Sequence, residues 1–322
     1  MAGRSGAISF TSQLKKSPGG KVFIVGLDGS ELSFQAVQFA ARMMSEYVDC
    51  LIVMTLGKSN GDQKNFDGWK GKAQDIAMKN GVPAMKISME YVQIPQAFLA
   101  KPNPVIDAMV YLANFTANGS AVLVMGAAGK GDQDKNGSRP DGQPPMGSLA
   151  TACLNRVKVP VCVVKTGPKI NLDGVTRVKR QGRDGTPGLN FVVAVDGGKV
   201  SNAAFDQALR LAHRGDSIFG FHVDAGSAQT AEVEKKYSAE LAKLVDTNAI
   251  ERGYLAVVKQ GHGSSMKEAI EDFAHEKKAD VIVLGSIELS NATSDKKLGS
   301  VCMAVSRGSA AHVVVVKNYS HT

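Results

Sequence analysis

The sequence predicts an α/β protein in which one pattern of alternating strands and helices occurs twice. Its 322 residues exceed an ordinary single domain of about 100–200 residues. Nearly continuous Val, Ile and Leu runs, such as AVLVMG and DVIVLG, indicate strands covered on both faces, as in a parallel sheet between helices. The segment KVFIVGLDGSELSFQAVQFAARMM, from Lys21, resembles NFVVAVDGGKVSNAAFDQALRLAH, from Asn190.

Each repeat opens with a strand that breaks at Asp-Gly and leads into a helix. Ser33 and Ser201 occupy matching positions, and we expect them to cap these helices. A second strand follows, CLIVMTL or SIFGFHV, and then a charged helical stretch. We expect the two stretches to end at Gly81 and Gly253, because glycine often stands just past a helix end.

The third strands, MKISMEYV and YLAVVKQ, lead to helices with clear start signals. Asn103-Pro104 is an N-cap followed by proline, and Ser265 forms a capping box with Glu268. A strand ending in glycine, a Gly-Ser pair opening a helix, and a last strand complete each half. Each half therefore reads β-α-β-α-β-α-β-α-β, a five-stranded parallel sheet with helices on both faces and right-handed crossovers.

Domain boundaries follow from local composition. Residues 1–19 contain no acid and are predicted to be a disordered tail, with a transit peptide as the alternative. Residues 20–168 form the first predicted domain and residues 190–318 the second, joined by a linker rich in turn formers over residues 169–189. We expect the domains to pair through their final strands, because an exposed edge strand invites aggregation.

Composition excludes several classes of protein. The net charge is +8, but the basic residues are spread along the chain rather than grouped into a nucleic-acid-reading motif. No stretch approaches the roughly 18 apolar residues of a membrane span, so we expect a soluble, cytoplasmic protein with no membrane partner. The cysteines lie singly in apolar runs, which predicts buried thiols, and the histidines show no metal spacing. Trp69 and Tyr91 are candidates for lining a base pocket, but apolar filler in core helices and strands is the favoured interpretation of most such residues.

Glycines and one carboxylate cluster where a ligand is expected. In an open parallel sheet, ligands bind beyond the carboxyl ends of the strands, where the chain order reverses. Glycine lets phosphate approach the backbone, and the free amides of a helix N-terminus hold it. A carboxylate accepts hydrogen bonds from ribose hydroxyls or an adenine amine. In the first repeat these loops contain Asp28, Gly29, Ser30, Gly126, Ala127, Gly129, Gly147 and Ser148.

An Asp after strand one, G-x-x-G after strand four and G-[ST] at the next helix resemble the ATP-binding universal stress proteins, twice over nearly the whole chain. The resemblance implies two tandem Rossmann-like domains of the adenine nucleotide alpha hydrolase-like type. It also implies dimerisation, often through the last strand, and ATP binding in some members but not in others. It places the nucleoside at Asp28, the base near Leu56, and the phosphates at Gly126, Gly129, Gly147, Ser148 and Leu149.

The chain departs from the family pattern in both repeats. Seventeen residues separate Gly129 from Gly147, where the usual form has about nine. This loop, which contains Lys130, Lys135 and Arg139, is either a lid over a triphosphate or a surface insertion. In the second repeat Glu288 replaces the middle glycine and adds negative charge near phosphate. We therefore expect ATP chiefly in the first domain. The corresponding residues of the second, degenerate site are Asp196, Val223, Gly285, Gly299, Ser300 and Val301.

These features predict an adenine-nucleotide-binding stress protein, acting in stress response or signalling through ligand-dependent conformation or partner binding. We expect binding rather than rapid turnover, because the sequence offers no dedicated general base; slow ATP hydrolysis with Mg²⁺ stays open. The alternative is a tandem scaffold without nucleotide that works by protein–protein interaction. An enzyme or flavin carrier on a similar fold would need a reactive residue or flavin-specific loop that the sequence lacks.

Overall fold

In a computed structural model of the protein, the described residues are 19–45, 47–115, 120–128, 146–165, 188–224, 229–259, 265–286 and 298–317. The chain divides into two compact units, Met1–Val164 and Lys165–Thr322. The predicted tail and linker lie almost wholly outside the described ranges, so their boundaries stay predictions, as does the pairing of the two domains.

The first unit contains a parallel sheet of five strands. Its hydrogen-bonded order is β3-β2-β1-β4-β5. The chain runs from β1 outward to β3 and then returns to the other side of β1, so the strand order reverses between β1 and β4. The strands are β1 Val22–Gly26, β2 Cys50–Gly57, β3 Ile87–Gln93, β4 Ala121–Gly126 and β5 Val161–Val164.

Helices connect these strands and cover the sheet. The first helix packs against the second, and the fourth against the fifth. Right-handed crossovers place these two pairs on opposite faces of the sheet, which explains why Ile24 of β1 and Leu123 of β4 have no exposed surface. The helices are α1 Glu31–Met43, α2 Asn60–Lys79, α3 Gln96–Leu99, α4 Pro104–Phe115 and α5 Ser148–Arg156, with a 3₁₀ turn at Ala84–Lys86.

The second unit repeats this topology. Its sheet is also parallel, with the order β8-β7-β6-β9-β10. The predicted α/β fold, with a five-stranded parallel sheet in each half, is confirmed. The strands are β6 Asn190–Ala194, β7 Ser217–Asp224, β8 Arg252–Lys259, β9 Val281–Ser286 and β10 His312–Lys317. The helices are α6 Lys199–Leu211, α7 Gln229–Asp246, α8 Met266–Glu276 and α9 Ser300–Gly308.

The predicted caps of the first helix in each unit are wrong. The N-cap residues are Ser30 for α1 and Gly198 for α6. Ser33 and Ser201 lie inside the first helical turn, where their hydroxyls donate to the carbonyl oxygens of those caps at 2.8 and 3.0 Å. Each helix therefore begins directly after its Asp-Gly turn, which brings the helix N-terminus close to the aspartate.

One of the two predicted helix ends is also wrong. Gly81 follows α2 with a left-handed φ of +86°, but Gly253 lies inside β8. Asn248, with φ of +54°, takes the left-handed position after α7, a role that asparagine fills where glycine is missing. Gly253 serves packing instead, because a Cβ there would lie 2.8 Å from Ile250 Cδ1.

Other local start signals are confirmed. Pro104 is the first residue of α4. Ser265 caps α8, and Glu268 completes the capping box. Ser59 and Asp62 form a second capping box at α2, which the sequence interpretation did not single out.

A buried aspartate joins two loops at the start of the second strand in each unit. Asp49 accepts the backbone N–H groups of Lys21 at 2.8 Å and Ser45 at 2.6 Å. Asp216 accepts two N–H groups at the corresponding positions, both at 2.8 Å. Each aspartate thereby links the entry of the first strand to the end of the first helix.

All four cysteines are buried free thiols, as predicted. Burial raises the pKa of Cys302 to about 11 and that of Cys162 still further, so these side chains stay protonated. Among the described residues, no helix has both the length and the apolar character that crossing a membrane requires.

Candidate functional site

A cavity of about 250 Å³ lies beyond the carboxyl ends of β1 and β4 in the first unit. This is the point where the strand order reverses, the expected ligand position of an open parallel sheet. Loops far apart in sequence meet there, and the sequence predicted this convergence from the glycine positions. The predicted site residues that line the cavity are Asp28, Ser30, Leu56, Gly126, Ala127, Gly147 and Leu149.

Three predicted residues are not among those lining the cavity. Gly29 has φ of +78° and faces the ring of Trp69; it shapes the turn rather than the cavity surface. Ser148, the first residue of α5, is absent from the lining. Gly129 and nearly all of the long loop that follows it fall in residues 129–145, outside the described ranges.

The Asp28 carboxylate is held by the turn between β1 and α1. Its Oδ1 accepts the backbone N–H of Ser30 at 3.0 Å and the Ser30 hydroxyl at 2.6 Å. The Ser30 hydroxyl in turn accepts the N–H of Ser33 at 3.2 Å. A negative charge beside the N-terminus of α1 is electrostatically favoured. The turn therefore orients a hydrogen-bond acceptor on the cavity wall.

The opposite loops present backbone rather than side chains. A Cβ at Gly126 would lie 2.9 Å from the Cβ of Leu32, so only glycine lets β4 end this close to α1. Gly147 is the N-cap of α5 and supplies no side-chain cap, while its own N–H donates to Ala127 O at 2.7 Å. The first turn of α5 thus offers amide donors to an anion at the cavity.

One face of α2 supplies a further wall, where the sequence interpretation favoured a packing role for Trp69 over a place in a base pocket. Asp62, Asn65 and Trp69 follow one another at spacings of three and four residues and all line the cavity. The backbone N–H of Lys58 and the Ser59 groups lower the pKa of the Asp62 carboxyl, which keeps it charged. A tryptophan within the otherwise polar stretch NGDQKNFDGWKGK is the signal that could have found this wall.

The charge around this cavity is negative. Its described lining includes the carboxylates of Asp28 and Asp62 but no lysine or arginine. From the described lining, a bound phosphate would depend on backbone amides and on the dipole of α5.

A second cavity, of about 530 Å³, occupies the corresponding place in the second unit. The Asp196 Oδ1 accepts the backbone N–H of Gly198 at 2.8 Å, the same turn that Asp28 makes. Glu288, the basis for expecting a degenerate site, lies outside the described residues. All six residues predicted for this site line the cavity: Asp196, Val223, Gly285, Gly299, Ser300 and Val301.

The second cavity differs from the first in its polar groups. Lys199 adds a positive charge to its lining. Thr55 of β2 donates its hydroxyl to Leu27 O at 2.5 Å; at the matching position, Nδ1 of His222 donates to Val195 O at 2.8 Å. The same backbone carbonyl is thus satisfied by a hydroxyl in one unit and by an imidazole in the other.

Neither nucleophilic nor metal chemistry is evident among the described residues. Cys302 lines the second cavity, but its thiol donates to Gly285 O at 3.1 Å and the raised pKa keeps it from forming the reactive thiolate. The part of the chain that the structure describes contains no group of three or more His, Cys, Asp or Glu side chains placed to hold a metal ion.

Comparison with protein families finds one match, in the second half of the chain. Residues 189–317 match the model described as the universal stress protein family. This stretch is similar to that family, and it includes the whole sheet of the second unit and the cavity at its strand ends. The match falls on the half whose glycine pattern departs further from the family form.

Solved structures of universal stress proteins are similar to this chain, and the first of them shares its fold. One from Archaeoglobus fulgidus DSM 4304 is 17% identical, with a TM-score of 0.59 over 94% of this chain and 98% of its own. UspA from Lactobacillus plantarum is 21% identical over 41% of this chain and 99% of its own, with a TM-score of 0.34. A universal stress protein solved in complex with cAMP is 23% identical over 42% of this chain and 100% of its own, with a TM-score of 0.33. No curated protein sequence matches significantly.

Proposed function

We propose that this chain binds an adenine nucleotide, ATP foremost, in the cavity of its first unit, and that this unit is a second universal stress protein domain. The proposal rests chiefly on one observation. The turn after β1, the end of β4 and the N-terminus of α5 all line one cavity where the strand order reverses.

The division of roles follows from the chemistry of each wall. Asp28, fixed by Ser30, is an acceptor for ribose hydroxyls or for the exocyclic amine of adenine. The Gly126 backbone and the start of α5 at Gly147 are donors for phosphate. Leu56 and Met109 add apolar surface for a base. The choice of an adenine nucleotide over another phosphate ester rests on the resemblance of the glycine motifs to those of ATP-binding universal stress proteins.

Ligand binding of this kind would act through its free energy. A nucleotide at a hundred times its dissociation constant stabilises the folded state by about 2.7 kcal/mol, enough to change the affinity of the chain for a protein partner in stress response or signalling. If Mg²⁺ accompanies the nucleotide, Asp28 and Asp62 are the carboxylates that line the cavity.

Nucleotide analysis and a matched pair of glycine variants test the proposal. The purified full-length chain is denatured and any released nucleotide identified, and ATP binding is then measured by calorimetry and thermal shift. Gly147→Val and Gly299→Val each place a branched side chain at the N-cap of α5 or α9. We expect Gly147→Val to weaken ATP binding at least about tenfold by blocking the amides, and Gly299→Val to leave it unchanged.

The possible results separate the alternatives. Loss of binding in Gly299→Val alone would move the ligand to the second unit, where the cavity is larger and Lys199 adds a positive charge. Absence of bound nucleotide, with no ATP response in the wild-type chain, would reject the proposal in favour of a scaffold that works through protein–protein interaction. The melting temperature of each ligand-free variant shows whether a loss of binding reflects unfolding.

A further inference from the structure

Trp69 sets the first cavity apart from the second. It is the single tryptophan of the chain and the one aromatic side chain among the described residues that line the first cavity. It lies two turns beyond the capping box of α2, on the same helical face as Asp62 and Asn65. This face belongs to the cavity rather than to the core.

The backbone turn at Gly29 fixes the position of the Trp69 ring. A Cβ built on Gly29 would lie 2.4 Å from ring atoms Cε2 and Cζ2, so the indole rests directly against this turn. The helix that carries it is anchored on both sides of the ring. Phe66 packs against Tyr91 with centroids 6.3 Å apart, and the Lys72 ammonium lies 3.9 Å from the centre of the Phe34 ring. The ring is therefore held beside Asp28 before any ligand binds.

The second unit has no such ring at the same contact. There the turn glycine is Gly197, with φ of +84°, and its missing Cβ would meet Val233 Cγ2 at 2.8 Å. Among the described residues, no side chain of α7 lines the second cavity, which measures about 530 Å³ against about 250 Å³ for the first. The exchange of tryptophan for valine accompanies a larger space, whose aromatic lining residues, Phe221 and His222, come from β7 rather than from the helix.

We propose that Trp69 is a specificity-determining residue of the first cavity, where it stacks on a planar heteroaromatic ring, the base of the nucleotide. This inference rests on the proposed function. Stacking of a base on an aromatic side chain is selective for a planar ligand but uses no hydrogen bonds. In this arrangement α2 selects the base, and the glycine loops bind the phosphates.

The test uses the intrinsic fluorescence of the single tryptophan, with ATP, adenosine and inorganic tripolyphosphate as probes. Because only stacking brings the ligand ring onto the indole, we expect ATP and adenosine to change the Trp69 emission saturably and tripolyphosphate to leave it unchanged. Calorimetry supplies the dissociation constants independently.

Three variants on α2 give the matched comparison. Trp69→Val installs the side chain found at the second unit's contact and should raise the dissociation constant for ATP by about tenfold or more. Trp69→Phe retains a ring and should change it by less than about threefold. Gly68→Ala alters the neighbouring position, where a Cβ meets nothing within 4 Å, and should not change it.

The outcomes distinguish the stacking role of Trp69 from the proposal that the first cavity binds a nucleotide. If calorimetry detects ATP binding but the emission stays constant, or if Trp69→Val binds ATP as the wild-type chain does, Trp69 is a packing residue only and the nucleotide proposal stands. If calorimetry detects no ATP binding to the wild-type chain, both proposals fall. Should Trp69→Val not fold, the wild-type titration and Trp69→Phe still decide.

Discussion

At the residue scale, a buried carboxylate that joins two loops contributes to the stability of each unit. Asp216 is fully buried and accepts the N–H groups of Leu189 and His213. Removing an acceptor from buried donors costs the desolvation of those donors as well as the bond itself. Asp49 makes the same clamp, a buried carboxylate that accepts backbone N–H groups from two loops, so a single aspartate before the second strand contributes to the stability of each unit.

We predict that Asp216→Ala lowers the free energy of unfolding by about 2–4 kcal/mol, because two buried N–H groups lose their acceptor. Urea unfolding followed by circular dichroism measures the change. Asp206→Ala, at an exposed position of α6, is the control and should change stability by less than about 0.5 kcal/mol. Equal effects of the two substitutions would contradict the role of the clamp.

The candidate site shows which residues sequence can and cannot identify. Asp28, Gly126 and Gly147 were predictable, because each follows a strand or opens a helix whose pattern is local. Trp69 was one of several candidates for lining a base pocket, and sequence could not single it out, since its contact with Gly29 joins residues forty positions apart in sequence and depends on how α2 lies over the first turn. Apolar filler was therefore the favoured interpretation.

At the scale of elements, α2 combines strong capping with weak interior residues. Its capping box at Ser59 and Asp62 is complete, but Gly68 and Gly71 lie within the helix, and a Cβ added at either would meet nothing within 4 Å. Glycine in a helix interior costs about 1 kcal/mol relative to alanine. The helix that lines the first cavity is thus held by its contacts with the rest of the unit more than by its own propensity.

We predict that Gly68→Ala and Gly71→Ala each stabilise the protein by about 0.5–1 kcal/mol, because alanine restricts the unfolded chain and meets no neighbour in the fold. Thermal unfolding measures the increase in melting temperature. Gly29→Ala is the opposing control: its φ of +78° and the Trp69 ring exclude a side chain, so the melting temperature should fall. A lower melting temperature for the helical variants would show that α2 needs its glycines.

Element boundaries, like site residues, were predictable where the signal is local in sequence and not where it depends on distant contacts. Pro104 and the Ser265–Glu268 box fixed two helix starts correctly, because caps are local chemistry. The helix end predicted at Gly253 was wrong, because glycine is required there by close packing against Ile250 and does not mark a helix end. Helix α3, of only four residues, carries too little periodicity to be found in sequence.

At the scale of the whole molecule, one buried imidazole links stability to pH. His312 begins β10, and burial lowers its pKa to about 3, from an unfolded value of roughly 6.5. The folded chain keeps it neutral while the unfolded chain takes up a proton between those values. Its contribution to stability is therefore full above about pH 6.5 and is lost as the pH falls toward 3.

We predict that unfolding free energy falls by on the order of 1 kcal/mol per pH unit across this window on account of His312. Because carboxylates titrate in the same range, the quantity to measure is the difference in slope between the wild-type chain and His312→Gln, from urea unfolding at several pH values. His275→Gln, at an exposed position on α8, should keep the wild-type slope. Identical slopes in all three proteins would contradict the prediction.

The fold of both halves was predictable because their repeated pattern is strong, whereas the size of the cavity in each half was not. The glycine motif favoured the first half, yet the family model matches residues 189–317 and the larger cavity lies there too. The spacing of the motif predicts which loops meet, but the volume of the cavity between them depends on side chains from another helix, α2 in the first unit.

The burial of its thiols makes the first unit a reporter of its own opening. Cys50, Cys153 and Cys162 lie in the first unit and are almost wholly closed to solvent, whereas Cys302 of the second unit lines a cavity. A thiol-reactive reagent can modify the first three only after the surrounding structure opens. Mass spectrometry of the labelled peptides would then report the opening of the first unit, and a ligand bound in that unit would slow their modification.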